Sequence, residues 1–119
     1  MKSDYRKMRV LVIYDLPMVE ADDRREYNNF VKKLKKEGFY MLQYSVYVKV
    51  LINDSEYKRL INRIPYIIPK KGNILMLKVT EKQYQDMIYL NGEKNRYDLI
   101  VGSKQLILFG GEKNVRIED

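Results

Sequence analysis

The chain contains no cysteine and no histidine. Without cysteine there is no disulfide framework, no thiolate nucleophile and no cysteine-based zinc site, and a reducing cytoplasm suits such a composition. Without histidine the usual general base and the commonest transition-metal ligand are missing. Any active site must then be built from carboxylates, Lys, Arg, Tyr, Ser and backbone, a set that suits Mg²⁺ or Mn²⁺ among metals. Long apolar runs are also missing. None approaches the roughly 18 residues of a membrane span, and the polar start, Met-Lys-Ser-Asp-Tyr-Arg-Lys, lacks the separate apolar region of a secretory signal. No membrane-spanning segment is expected.

What is present is ordinary in amount and unusual in sign. The 119 residues suffice for one domain, with 45% apolar and 33% charged residues, as in soluble globular proteins. The net charge of +7 points to a polyanionic partner, nucleic acid first and an anionic membrane surface second.

The chain is organised around residues 9–17. Val10 to Tyr14 are mostly β-branched or aromatic, which predicts a buried strand. Asp15 ends it and Pro17 stops it. A carboxylate at that rim either caps the following turn or serves chemistry that needs a rigidly held charge. Residues 20–37 read as a helix: Tyr27, Phe30, Val31 and Leu34 make an apolar stripe, acids stand in its first turn and lysines in its last, and Gly38 follows as a stop. Arg25, Asn29, Lys32 and Lys36 share the opposite face, flanked by Arg24 and Lys33. That stripe is either a solvated face or a phosphate track.

Residues 39–51 form a second β region with a bend, or two strands, near residues 43–45. Tyr40, Leu42, Tyr44, Val46, Val48 and Val50 share the parity expected to face the core. Asn53, Asp54 and Ser55 offer caps for a second helix bearing Tyr57, Leu60, Ile61 and Ile64, ended by Pro65. Lys70 and Lys71 beside Gly72 either grip a phosphate or line a solvated turn, before a strand over 74–79. Thr80 and Gln83 have capping-box spacing for a short helix with Tyr84, Met87 and Ile88 inward. A polar loop over 93–103, a last strand over 105–109 and a charged tail over 111–119 complete the chain.

This order predicts an α+β, ferredoxin-like two-layer sandwich over residues 1–110, with two main helices on one face of an antiparallel sheet. The other sheet face carries apolar residues that need a cover. A second copy supplies it most simply, giving a two-fold dimer in which the C-terminal strand packs onto the partner protomer.

Three segments taken together carry a family resemblance: the strand end Tyr14-Asp15-Leu16, Gln43-Tyr44-Ser45-Val46-Tyr47, and Lys71-Gly72-Asn73-Ile74. At these spacings, over about residues 8–110, the chain resembles the CRISPR-associated Cas2 proteins, the small non-integrase subunit of the spacer-acquisition complex. Val79-Thr80-Glu81-Lys82-Gln83 followed by Met87 is similar to the type II-A branch. The resemblance implies a homodimer that bridges two dimers of the integrase subunit Cas1 and binds double-stranded prespacer DNA through its backbone, with other type II-A adaptation proteins as further partners. It also implies an Mg²⁺- or Mn²⁺-dependent endonuclease acting on RNA or DNA. Asp15 from both protomers would hold the metal, and Tyr14, Arg24 and Ser45 would orient phosphate. Arg24, Arg25, Lys32, Lys33, Lys36, Lys70 and Lys71 are the expected nucleic-acid contacts. Many ribonucleolytic relatives carry Arg two residues before the motif Gln, where this chain has Met41, so a bridging role ranks ahead of RNA cleavage. A nuclease acting in its own right, including a toxin-type ribonuclease of related fold, is the alternative.

Overall fold

The computed structural model describes residues 7–92 and Asp98. Strand β1 (Met8–Asp15) leads into helix α1 (Ala21–Lys36). Strands β2 (Tyr40–Gln43) and β3 (Val46–Leu51) follow, then helix α2 (Asp54–Arg63), a 3-10 turn (Ile64–Tyr66), strand β4 (Asn73–Thr80) and helix α3 (Glu81–Gln85). The strands form one sheet in the order β2-β3-β1-β4, with every neighbouring pair antiparallel. This is the ferredoxin-like topology expected from the sequence. The chain divides into two compact units, Met1–Met87 and Ile88–Asp119. The first contains all four described strands; of the second, residues 88–92 are irregular. The expected strand over 105–109, the tail over 111–119 and the domain limit at 110 lie outside the described residues, as does the 93–103 loop except for Asp98. Among the described residues no helix is long and apolar enough to cross a membrane.

Local chemistry explains the elements. At the start of α1 the Glu20 backbone N–H donates to Asp23 Oδ2 at 3.0 Å. Asn53 Oδ1 accepts from the Glu56 N–H at 2.9 Å to begin α2. The Thr80–Gln83 capping box is formed in both directions, at 2.9 and 3.0 Å. Val10, Val12 and Tyr14 of β1, Tyr47 and Leu51 of β3, Phe30 and Leu34 of α1, and Leu60 and Ile64 make one core, so α1 and α2 cover the same sheet face. At their far ends the helices are tied by Arg63, whose Nε and Nη2 both donate to the Glu37 carboxylate, the shorter contact at 2.7 Å.

One expectation is reversed. Tyr47, Lys49 and Leu51 pair with Val12, Val10 and Met8 and therefore face the helices, while Val46, Val48 and Val50 face away. Two local events break the parity across residues 39–51. The ladder shifts register between Met41 and Gln43, and the chain turns at Tyr44–Ser45, with Ser45 at φ 68°. Met87 is exposed as well, α3 having ended two residues before it.

The open sheet face has a small cluster of its own. Arg9 is fully buried there. Its guanidinium grips Glu81 from two nitrogens, at 2.7 and 3.0 Å, donates to the Tyr40 hydroxyl at 2.8 Å, and lies 4.2 Å from the centre of the Tyr84 ring. Beyond this cluster the face is apolar: Leu11 pairs with Leu77 and Ile13 with Leu75, and Leu75 and Leu77 are 64% and 50% exposed.

Candidate functional site

β1 sets the site, and the two-residue alternation of a strand divides it. Tyr14 points to the helices and Asp15 to the open face. Tyr14 is buried in an aromatic group: its ring meets Tyr27 and Phe30 edge-on at 5.9 and 5.2 Å and stacks with Tyr47 at 6.2 Å. Its hydroxyl is 3.4 Å from that of Tyr27. Burial, then the hydrogen bond and neighbouring phenols, push the Tyr14 phenol far above its ordinary value, so it is a neutral group at any physiological pH. Asp15 is exposed at the end of β1, in register with Asn73. Among the described residues its carboxylate caps no turn and accepts no hydrogen bond.

Ser45 is brought to the same strand end, where its carbonyl accepts the Tyr14 N–H at 3.1 Å. A serine in left-handed backbone is uncommon and mildly strained. It makes the turn that stacks the exposed Tyr44 ring on Tyr27 at 6.4 Å. Arg24 stands on α1, exposed, with its guanidinium on the Val19 carbonyl at 3.3 Å. The structure thus joins Tyr14, Asp15 and Ser45 through the backbone while their side chains diverge.

Gly72 fixes the Asp15 backbone from the other side. At φ +92°, a Cβ there would lie 2.5 Å from Leu16 Cδ2 and 2.7 Å from the Asp15 carbonyl oxygen. Only glycine allows this approach. Of its neighbours, Lys71 reaches Asp23 at 3.5 Å and Lys70 is exposed on a cleft against α1. The Glu20 N–H, and then Lys71, hold the Asp23 carboxyl below its usual range. Along α1, Arg24, Arg25, Lys32, Lys33 and Lys36 are all exposed; Arg25 also contacts Asp22 at 2.8 Å. Among the described residues there is no group of three or more His, Cys, Asp or Glu able to hold a metal ion. Asp15 therefore stands as a single exposed carboxylate at the strand end, apart from any such group.

Residues 8–87 match the family described as CRISPR associated protein Cas2. The chain belongs to the Cas2 family. It is 46% identical over 105 residues to the CRISPR-associated endoribonuclease Cas2 of Streptococcus mutans serotype c (strain ATCC 700610 / UA159), covering 88% of this chain and 94% of that one. It is also 46% identical over 87 residues to the protein of the same name from Ligilactobacillus salivarius (strain UCC118), covering 73% and 86%. A solved structure described as "Crystal structure of cas2" superposes with a TM-score of 0.52 at 21% identity, covering 75% of this chain and 91% of that one, which shows the shared fold. The Cas2 match spans β1 to α3, so Asp15, the α1 cations and the Lys71–Gly72 turn all fall within it.

The residue that sequence reasoning missed is Arg9. It stands in the core strand, and its only sequence signal was a cation opening an otherwise apolar run. Tyr66 was missed too: it lies in an apolar stretch that reads as packing, yet it is 85% exposed.

Proposed function

We propose that this Cas2-family chain serves CRISPR adaptation as a homodimer that bridges two dimers of the integrase subunit Cas1 and holds the prespacer duplex by its backbone. The observation that carries this reading is the outer face of α1, where Arg25, Lys32 and Lys36 stand exposed in a row. Contacts to phosphates give affinity without sequence preference, which suits a protein that must accept any prespacer. The apolar open sheet face supports the two-fold dimer. Reversing the charge of Arg25, Lys32 and Lys36 should weaken duplex binding and lower the slope of log affinity against log salt by about one unit per lost contact. A slope equal to wild type would move the DNA track elsewhere.

A second reading is phosphodiester hydrolysis, on RNA or DNA. It is favoured by the name endoribonuclease carried by the relatives and by the exposed Asp15 carboxylate on the face two copies would share. Asp15 from each protomer would hold Mg²⁺ or Mn²⁺, which when bound supplies positive charge opposite the developing charge on phosphate. Met41 offers no cation in support. Asp15→Ala should abolish any Mg²⁺-dependent cleavage and leave the dimer intact. Under the bridging reading, spacer acquisition in cells carrying the full locus continues in this variant. Loss of acquisition with dimer and Cas1 complex preserved would put hydrolysis first, and growth arrest on expression alone would favour a toxin-type ribonuclease.

A further inference from the structure

We propose that the cleft between α1 and the segment after α2 receives an unpaired nucleotide of a nucleic-acid strand. The inference rests on the backbone-binding reading above, which supplies the strand. The cleft measures about 220 Å³ and is lined by Glu26, Asn29, Phe30 and Lys33 of α1 and by residues 66–70. Three features agree on the ligand.

First, Tyr66 is a large aromatic side chain, 85% exposed, on a backbone that cannot easily move. It ends a 3-10 turn containing Pro65 and closed by the Ile67 N–H donating to the Ile64 carbonyl at 3.0 Å, with Ile64 and Ile67 packed into the core. A ring presented on rigid backbone loses little freedom when a base stacks on it, and stacking tolerates any base. Second, Lys33 and Lys70 place ammonium groups on opposite walls of the cleft, where a phosphate linking two nucleotides is the complementary charge. Third, Asn29 offers both donors and an acceptor for a base edge, and the Glu26 carboxylate disfavours phosphate at its own end, so phosphate belongs with the lysines. An apolar peptide side chain would leave both lysines without purpose, and a blunt duplex has no free base for Tyr66.

The test uses the full chain and fluorescence anisotropy. It compares a labelled blunt DNA duplex, the same duplex with short single-stranded ends, and a short single-stranded RNA. Wild type should bind the tailed duplex more tightly than the blunt one. Tyr66→Ala should weaken tailed binding on the order of 5- to 100-fold and leave blunt binding unchanged, while Tyr66→Phe retains the preference. The RNA arm shows whether the cleft takes either sugar. Lys33→Glu with Lys70→Glu should also abolish the tail preference. A 5-iodouracil tail should crosslink to Tyr66. Tail preference untouched by Tyr66→Ala, or a glutamate-rich peptide competing the tail away from wild type only, overturns this inference and leaves the backbone reading standing. Failure to bind any of the three nucleic acids removes both.

Discussion

Arg9 carries a full charge with no exposed surface, which is tolerable only because every side of its guanidinium has a partner. Glu81 is the principal one. Burial pushes the Glu81 carboxyl up, but hydrogen bonds from Arg9 and Gln85 and the charges of Arg9 and Lys7 outweigh it, so the group sits below its usual range. Removing one partner of a buried pair is more damaging than replacing both. Because Glu81 keeps some exposure and Gln retains an acceptor, Glu81→Gln should cost about 2 kcal/mol at neutral pH by urea unfolding. The sign with pH follows from the lowered value. The stabilisation is fully present above the unfolded carboxyl value near 4.5 and is lost as pH falls through the lower folded value. The gap between Glu81→Gln and wild type should therefore narrow on going to about pH 3. A gap that stays constant would mean that the cost comes from packing and not from the ion pair.

Among the elements, α1 was the most legible. Its stripe, its acidic start and its basic end all state one answer, and the observed Ala21–Lys36 lies inside the expected limits. The 39–51 region was not legible, because one of its parities is apolar or aromatic throughout and the other is mixed. Lys49 hid the correct one. It stands on the helix side, where its stem packs inward and its ammonium reaches the Glu37 carbonyl, an arrangement long side chains allow. The entry to β4 carries the next prediction. Gly72→Ala combines left-handed backbone with overlap against Leu16 and Asp15, and should destabilise by about 2 kcal/mol in urea unfolding. It should also shift the Asp15 backbone amide in an NMR spectrum. Wild-type stability and an unmoved amide would show that Gly72 does not brace the strand end.

For the whole molecule, the sandwich was readable from element order, while the directions of the site's side chains were not. The rim position of Asp15 follows from one strand and its stop. That Tyr14 turns inward to an aromatic cluster follows from alternation against a partner strand whose register no local pattern states. Tyr66 escaped for a related reason: an apolar residue in an irregular stretch gives no sign of which way it faces. The apolar open face leads to the remaining prediction, a dimer by light scattering at micromolar concentration; a monomer there would remove the shared Asp15 pair and the bridge together. The tyrosine group has an optical consequence. The chain has no tryptophan, so its ultraviolet emission comes from tyrosine, and Tyr47, Tyr14, Tyr27 and Tyr44 form a ladder with neighbouring centroids 5.9 to 6.4 Å apart. Excitation should hop among such close phenols and lose its polarisation. Unfolding separates the rings, so the native protein carries a label-free optical signal of its own integrity.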